Sequence, residues 1–339
     1  MIEIEFIPIG DKTNTGDAIL VHFTEPGNST ERVVLIDGGF TETAERVVAH
    51  INAYYRVPHI DLVVCTHPDS DHINGLFGIF ERIPVRELLI HRPSEHGYTS
   101  GAVEAAKVDE LISLAQSKGA TVTTGAFAGS SYFGDALRVA GPTADYYREQ
   151  LALQAGTVFL AHKAGNVFAS ALEKIRNALS PRSTDPGEGE LTDHGGTTPR
   201  NNSSIILDVQ VDGYRAFLTG DAGAPALEGA ADYLTAARRD GKLPDFFDVP
   251  HHGSRHNLTT SVMDRLAGPI VGDIDARTAF VSVGKEADDF PRAEVANAFR
   301  RRGYRVTATR GQTIRWYRGG QPRPGWRATT PLPWLSVDD

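Results

Sequence analysis

The sequence predicts an α/β sandwich, and two patterns lead to this fold class. Short apolar runs alternate with stretches of helical periodicity through the first 140 residues, which fits neither a helical bundle nor an all-β barrel. Strand and helix segments recur in the second half, where Asp212-Gly213 marks a two-residue hairpin turn. With 339 residues and 40% hydrophobic content, the chain can bury a sizeable core in one large domain or two smaller ones.

Periodicity and turn residues assign most segments of the first half. Residues 2–9 alternate between apolar and polar side chains, as a half-buried strand does. We predict strands at 2–9, 18–23, 33–36, 61–66, 86–91, 120–124 and 136–140. We predict helices at 41–55, from 73 onwards and at 103–117, the last of them ended by Gly119.

Residues 141–200 differ in composition from the sequence around them, and we interpret them as an insertion. Residues 144–179 have helical spacing, and 180–190 carry the Pro, Gly and Ser residues typical of a flexible loop. The insertion would either cap a functional site and select the substrate, or pack on the domain without a chemical role.

The remaining chain returns to alternating elements. We predict strands at 205–211, 214–219, 246–249, 279–283, 306–309 and 313–317, and helices at 226–239 and 291–302. The Pro-rich stretch 321–339 is predicted to be a tail.

The strongest chemical signal is Thr66-His67-Pro68-Asp69-Ser70-Asp71-His72, which holds two histidines and two carboxylates within six residues. It follows an apolar strand and precedes a helix, so it lies on a turn at the edge of a sheet. Four such groups would repel one another unless a cation lies among them. Imidazole with carboxylate suits zinc, and manganese or iron when nitrogen is scarcer. Four donors in one turn also allow two adjacent ions.

Three other strand ends carry polar residues of the same kinds. Asp37 precedes Gly38-Gly39, Asp221 follows Thr219-Gly220, and His251 and His252 follow a short apolar strand. If these ends face one edge of the fold, their side chains meet the cluster at 67–72.

Composition limits the cellular setting and the partners. The single cysteine, Cys65, excludes an internal disulfide and is expected in the core. The sequence shows neither a signal peptide nor a membrane span, so we expect a cytoplasmic protein without a membrane partner. The net charge of −9 argues against general coating of nucleic acid. Residues 292–327 nevertheless hold ten arginines against one acidic residue, and this patch is either a phosphate-binding surface or ordinary solvated surface.

The order of these motifs resembles the metallo-β-lactamase-fold hydrolases, and more narrowly the hydrolase domain of ComEC-type DNA-uptake proteins and their soluble relatives. The similarity runs from about residue 14 to residue 315. Besides the cluster, Asp221 and the 250–254 segment, it includes Gly16-Asp17-Ala18, Asp37-Gly38-Gly39, Asn201-Asn202-Ser203-Ser204 and Ser282-Val283-Gly284. The resemblance implies a single αββα sandwich over residues 1–339 with a metal site at one edge.

The resemblance also implies roles for individual residues. His67 and Asp69 would hold one metal, Asp71 and His72 the second, and Asp221 would bridge them, with His251 completing the second site. Asp71, Asp221 and His252 are the residues that we expect to act in catalysis. Supporting roles are expected for Asp37, which would orient the ligands, and for Ser254, which would contact substrate or support His251.

The chain departs from the wider family at three positions. Asp69 stands where a histidine is commoner, which makes manganese an alternative to zinc. The family often supplies another histidine before the bridging aspartate, and His194 is the best-placed candidate here. Phe290 stands where the ComEC-type branch tends to carry a histidine, so a substrate-binding or proton-donating role there is in doubt.

These residues predict a hydrolase with two divalent ions, Zn²⁺ or Mn²⁺. The ions would lower the pKa of a water from ~15.7 towards ~7 for attack on a phosphorus or carbonyl centre. The first hypothesis is a phosphodiesterase that acts as a nuclease on nucleic acid. The second is a hydrolase of a small ester or phosphoester, similar to a phosphorylcholine esterase or a lactonase. The third is a non-catalytic binding module, which the retained cluster of carboxylates argues against.

Overall fold

A computed structural model describes residues 1–10, 12–55, 57–97, 103–164, 191, 196–272, 274 and 276–336, with the backbone alone for 103–104 and 156–164. Two seven-stranded sheets face each other and helices cover their outer faces. This arrangement is the αββα sandwich, so the predicted fold class is confirmed.

The first sheet is built mainly from the N-terminal half. Its strands are β1 (Ile2–Phe6), β2 (Ile19–Thr24), β3 (Glu31–Ile36), β4 (Ile60–Cys65), β5 (Val85–Ile90), β6 (Thr121–Thr123) and the C-terminal β14 (Ile314–Arg318). They lie in the order β14-β1-β2-β3-β4-β5-β6. Strands β3 to β6 run parallel, and the pairs β14/β1, β1/β2 and β2/β3 run antiparallel.

The second sheet follows the same plan. Its strands are β7 (Ser131–Tyr132), β8 (Leu137–Gly141), β9 (Ile206–Val211), β10 (Tyr214–Leu218), β11 (Phe246–Asp248), β12 (Arg277–Val281) and β13 (Tyr304–Ala308). They lie in the order β13-β12-β11-β10-β9-β8-β7, with β10 to β13 parallel. The hairpin predicted at Asp212-Gly213 joins β9 to β10.

Helices lie between the strands, and most of them connect parallel neighbours. They are α1 (Thr43–Tyr54), α2 (Ser70–Arg82), α3 (Val103–Ser117), α4 (Ala144–Ala164), α5 (Pro199–Asn202), α6 (Ala224–Ala236), α7 (Thr260–Leu266) and α8 (Ala293–Arg301). Among the residues described, none of these helices is both long and apolar enough to cross a membrane.

The core lies in three layers, one between the sheets and one under each set of helices. Between the sheets, Phe6 meets Phe280 edge to face with ring centres 5.6 Å apart. All six residues of β4 are buried, as expected for a parallel strand covered on both faces. Full burial of one large apolar side chain stabilises the folded state by about 1.5–3 kcal/mol, because its surface is removed from water. Cys65, the last residue of β4, is a buried free thiol in the layer under the helices of the first sheet.

The C-terminal ends of the parallel strands in both sheets meet at one rim. The Asp37 amide donates to the Val64 carbonyl, at the ends of β3 and β4. The Ile205 amide donates to the Thr66 carbonyl, which joins the second sheet to the first. The four strand ends singled out in the sequence therefore share this rim.

The described part of the predicted insertion contributes to the same rim. Helix α4 is described as far as Ala164. The predicted loop at 180–190 lies outside the described residues. Buried Tyr147 and Leu151 anchor α4 beside Phe127. Helix α4 also packs against α5, the short turn that approaches the site. The division of the chain at 141–200 itself stays a prediction.

The predicted tail is attached to the domain over its described part, residues 321–336, although it forms no helix or strand there. Arg323 pairs with Glu3 and Glu5 on β1. Further on, the Leu332 amide donates to the Val306 carbonyl of β13 at 2.7 Å. We refer to residues 321–336 as the C-terminal strap.

Candidate metal centre

The turn between β4 and α2 directs His67 and His72 to the same point. Asp69 occupies the position before the first turn of α2 with extended backbone, and its carbonyl accepts from the His72 amide at 3.0 Å. The two imidazole rings lie 4.2 Å apart between centres. Both rings are buried. The carboxylate of Asp69 makes no capping bond to the helix and instead pairs with Arg200 Nε at 2.8 Å.

Asp37 anchors this turn from below. Its backbone has φ 58°, a left-handed conformation that is uncommon for a residue other than glycine. Its buried carboxylate accepts from the Thr66 amide at 2.8 Å, the Thr66 hydroxyl at 2.6 Å and His72 Nδ1 at 2.8 Å. With three donors already bound, Asp37 holds Thr66 and His72 in place. That it thereby orients metal ligands, as the resemblance implies, stays a prediction.

A close approach of two backbones places α2 over Asp37. The Gly75 amide donates to the Gly39 carbonyl, and a Cβ at Gly75 would lie 1.8 Å from the Gly38 carbonyl oxygen. Glycine is therefore required at residue 75, because no side chain fits between the helix and the Asp37-Gly38-Gly39 turn.

The second sheet contributes Asp221 and the two adjacent histidines. Asp248, at the end of β11, accepts from the amides of Thr219 and Gly220 at 3.0 and 3.2 Å and so holds the chain before Asp221. His251 and His252 both have left-handed backbone, with φ 48° and 56°. Each such residue costs about 1–3 kcal/mol, which suggests a functional use. The two rings diverge, with their planes at 66°.

The imidazoles of four histidines surround the carboxylate of Asp221. The distances from Nε2 to Asp221 Oδ2 are 3.7 Å for His67, 3.5 Å for His72 and 3.6 Å for His251. His252 Nε2 lies 3.6 Å from the other oxygen, Oδ1. These separations are too long for hydrogen bonds. The Nε2 atoms of His67, His72 and His252, and Asp221 Oδ1, are buried without a hydrogen-bond partner.

Three of the histidines have Nδ1 bound to an acceptor, so that Nε2 is the nitrogen directed at Asp221. His72 Nδ1 donates to the carboxylate of Asp37. His251 Nδ1 donates to Asn257 Oδ1 at 2.8 Å, and the orientation of that amide is fixed because its nitrogen donates to the Asp221 and Ala222 carbonyls. His67 Nδ1 lies 3.0 Å from the Thr66 hydroxyl, which gives its own proton to Asp37. Metal-binding histidines are held in this way.

Burial and charge set the protonation states of these groups. Burial would lower the pKa of His72, but Asp221 and Asp37 raise that pKa well above its usual value, so His72 gives up a proton when it binds a cation. Burial lowers the pKa of His67 well below its usual value and lowers the pKa of His252 to about 4, so both rings are neutral at pH 7. Burial alone would raise the pKa of Asp221, but His251, His72 and His252 hold that pKa well below its usual range. A buried carboxylate with four facing nitrogens fits a divalent cation better than it fits a proton.

A comparison with known protein families matches the part of the chain that contains this site. Residues 15–269 match the family model described as "Metallo-beta-lactamase superfamily". The match covers three quarters of the chain and includes all of the site residues described so far. The chain belongs to the metallo-beta-lactamase superfamily. Members of this superfamily are mostly metallohydrolases. A comparison with curated proteins gave no match.

Solved structures of superfamily members resemble the chain in fold alone. A metallo-beta-lactamase from Cronobacter sakazakii is 14% identical, with 71% of this chain and 76% of that chain covered and a TM-score of 0.34. A beta-lactamase from Chitinophaga pinensis is 12% identical, with 77% and 89% covered and a TM-score of 0.33. Neither likeness bears on the ComEC-type branch, so that narrower resemblance stays a prediction.

The two remaining residues of the cluster lie at the mouth of this superfamily site. Asp69 Oδ2 is 3.9 Å from His67 Nε2, and Asp71 Oδ2 is 3.9 Å from His72 Nε2. Both carboxylates are partly exposed. The cluster therefore divides into the two pairs that the resemblance implied, and the ligand roles themselves stay predictions.

Other predicted site residues lie further from Asp221 or outside the described chain. The Ser254 hydroxyl accepts from the His256 amide at 3.4 Å and caps the short turn after the histidines. His194 lies outside the described residues. Phe290 precedes Pro291, whose side chain packs against Gly253 behind the histidine pair.

Sequence reasoning missed three residues of the site. Asp17 is buried, with its carboxylate 3.9 Å from Nδ1 of both His72 and His252. Asn257 orients His251, and Asn201 Nδ2 approaches His251 Nε2 at 3.2 Å and Asp221 Oδ2 at 3.4 Å. Asp17 and Asn201 belong to segments that the resemblance included, which was the signal for them. For Asn257 the sequence held no such signal.

Proposed function

We propose that this protein is a phosphodiester hydrolase whose residues around Asp221 would hold two divalent cations, with Asp221 as a ligand in both groups. The convergence of four imidazole nitrogens on that buried carboxylate, at 3.5–3.7 Å, carries the proposal. Bound cations supply Lewis acidity, which ionises a water at neutral pH and offsets the negative charge that develops on the substrate.

The ligands divide into two groups. His67 and Asp69 would hold one cation, and Asp71 and His72 the other. We infer that His252 joins the second group, because donor atoms of His252, His72, Asp221 and Asp17 all lie within 4.8 Å of one another. His251 would then serve the first group. This assignment gives His252 the place at the second site that the resemblance implied for His251, and it makes His251 a ligand of the first site.

The pair of left-handed residues explains how adjacent histidines can serve both groups. In an extended strand, neighbouring side chains point to opposite faces, and in a helix they diverge by about 100°. Left-handed backbone at His251 and His252 instead sends both rings to the two oxygens of one carboxylate. Asn257 orients His251, and Asp17 is the carboxylate nearest to Nδ1 of His252.

Arg200 supports an anionic substrate. Its guanidinium pairs with Asp69 at the mouth of the site, and its side chain is 30% exposed. A cation bound by Asp69 would compete with this pair and leave the guanidinium next to the reacting centre. The planar guanidinium matches two oxygens of a phosphodiester, whereas a neutral ester offers it no charge. The proposal of a nuclease rests in addition on the ComEC-type resemblance.

A small phosphoester remains the alternative substrate, and the arginine-rich segment favours it. Arg302 pairs with Asp264, Arg315 with Glu3, and Arg323 with Glu3 and Glu5. These arginines hold the C-terminal strap and helix α8 to the domain. They leave fewer charges for a phosphate backbone than the sequence suggested.

The experiment compares substrates on one preparation. Protein loaded with Mn²⁺ or Zn²⁺ is offered plasmid, single-stranded DNA and bis-p-nitrophenyl phosphate at low salt. We expect hydrolysis of the small diester, and of DNA if the enzyme is a nuclease. Asp221→Ala should abolish both reactions. Hydrolysis of the diester without DNA cleavage would support the small-substrate alternative. A protein that binds no metal and cleaves none of the three would be a binding module instead.

A further inference from the structure

Asn201 lies between α2 and Asp221 in the chain, and its side chain approaches two members of the first ligand group, His251 and Asp221. It lies on α5, where the Thr198 hydroxyl accepts from its amide at 3.1 Å. The side chain is buried, and Nδ2 lies 3.2 Å from His251 Nε2 and 3.4 Å from Asp221 Oδ2. Both of those atoms carry lone pairs, because the proton of His251 is on Nδ1, where Asn257 accepts it.

The two lone pairs that face Asn201 are the ones that a cation would use. An amide nitrogen has no lone pair to offer a cation, whereas an amide oxygen is a good ligand for hard divalent ions. Half a turn about the Cβ–Cγ bond exchanges the two ends of the amide. Asn201 Oδ1 now lies 2.6 Å from the Thr198 hydroxyl, and after the exchange Nδ2 would donate to that oxygen instead. The hydroxyl can act in either role, so the bond between Asn201 and Thr198 is kept. The contacts of Nδ2 with His251 and Asp221 are given up, and a bound cation would take their place.

We propose that Asn201 supplies its amide oxygen to the cation at His67 and Asp69, and that this oxygen biases the first site towards Mn²⁺ over Zn²⁺. The inference rests on the proposed function, because it takes the first ligand group from there. Asp69, Asp221 and Asn201 give this site three oxygens, against two nitrogens from His67 and His251. The second site has two of each kind, from Asp71, Asp221, His72 and His252. Asp17 is not counted, because its carboxylate faces Nδ1 of His72 and His252 rather than the Nε2 atoms that face Asp221. Oxygen-rich sites suit manganese, and imidazole-rich sites suit zinc.

Three substitutions at this position separate a ligand from a structural residue. Asn201→Ala removes the oxygen and should weaken Mn²⁺ binding at one of two sites by about 10-fold or more. Asn201→Asp keeps an oxygen in place and should retain Mn²⁺ at that site. Asn201→His replaces the oxygen with a nitrogen and should shift the Mn²⁺:Zn²⁺ ratio towards zinc by about 10-fold.

The measurement is metal content rather than activity. Protein is dialysed against equal concentrations of Mn²⁺ and Zn²⁺, the bound ions are counted by mass spectrometry, and Mn²⁺ affinity is followed by electron paramagnetic resonance. Asn202→Ala is the matched control, since Asn202 lies on the same turn but accepts from the Gly223 amide at 3.1 Å. It should leave the ratio unchanged. Thermal melts establish that each variant is folded.

Two results would overturn the inference, and they are distinguishable. If wild-type protein binds two ions and all three Asn201 variants match it in ratio and affinity, Asn201 is not a ligand and the proposed function stands. If wild-type protein binds no ion at all, the proposed function fails together with the inference. Loss of Mn²⁺ in Asn201→Ala with retention in Asn201→Asp supports the inference.

Discussion

Replacing Asp37 by asparagine tests whether the buried carboxylate under the turn orients the metal ligands. The substitution keeps the size of the side chain but leaves one carbonyl oxygen and adds a donor. Asp37 accepts three bonds at 2.6–2.8 Å, from Thr66 twice and from His72. A hydrogen bond to a charged acceptor contributes about 1.5–3 kcal/mol to stability. In the asparagine variant, the amide NH2 would also face a donor of Thr66 or His72, and the unsatisfied donors lower stability further. We therefore expect Asp37→Asn to lower the free energy of unfolding by about 2–4 kcal/mol.

The functional effect of Asp37→Asn should be a loss of metal affinity of about 10–100-fold, because His72 Nδ1 loses its charged acceptor. Affinity is measured by competition with a chelating indicator, and stability by urea unfolding. Asp61→Asn is the matched control: Asp61 is also buried in β4 and accepts from the Val33 amide at 2.9 Å and from Arg32 at 3.0 Å. It should be destabilising with unchanged metal affinity. Equal affinities for the two variants would refute the orienting role of Asp37.

Three further substitutions test the site and the C-terminal strap. His252→Ala should lower the affinity for one of two ions by about 10-fold or more, whereas Ser254→Ala should keep both, because the Ser254 hydroxyl only caps a turn. Arg200→Ala should raise KM for bis-p-nitrophenyl phosphate about 10-fold and change hydrolysis of p-nitrophenyl acetate less than about twofold. Arg323→Ala should cost about 2–4 kcal/mol at neutral pH, because buried Glu3 and Glu5 lose a partner.

The pH dependence of stability gives a second measure of the strap. Burial would raise the pKa of Glu3, but His22, Arg315 and Arg323 lower it from 4.5 to about 2. A carboxyl with a depressed pKa stabilises the fold above its unfolded pKa and loses that contribution as pH falls through the folded pKa. Glu3 should thus contribute about 3 kcal/mol at neutral pH, lost between about pH 4.5 and 2. The difference between wild type and Arg323→Ala should shrink over that range.

Each of these variants has an outcome that contradicts the reasoning. If His252→Ala retains both ions, His252 is not a ligand, and of the two adjacent histidines only His251 binds a cation. An equal rise in KM for both esters with Arg200→Ala would mean that the guanidinium holds the turn rather than the substrate. Arg327→Ala, an exposed arginine of the same strap, is the control for Arg323→Ala. Equal stability of these two variants would show that the pairs of Arg323 with Glu3 and Glu5 contribute nothing to the fold.

The fold was accessible from the sequence because its determinants are local. Buried parallel strands such as β4 are continuous apolar runs, and Asp212-Gly213 is a turn by its own backbone preferences. The two-residue strand β7 was missed, because a strand of that length has no periodicity of its own. The C-terminal strap was expected to be a tail. A Pro-rich segment carries no local signal that Arg323 pairs with carboxylates on β1, which lies more than 300 residues earlier in the chain.

For the centre itself, the sequence determined the chemical types and their places at strand ends: the cluster at 67–72, Asp37, Asp221 and the histidine pair. Only the tertiary structure decided which nitrogen of each ring faces Asp221, how His251 and His252 diverge, and that Asp17, Asn201 and Asn257 complete the surroundings. The physical reason is the distance along the chain over which each property is determined. Residue type and turn preference are properties of neighbouring residues, whereas the direction of a buried ring depends on acceptors that other elements bring to it.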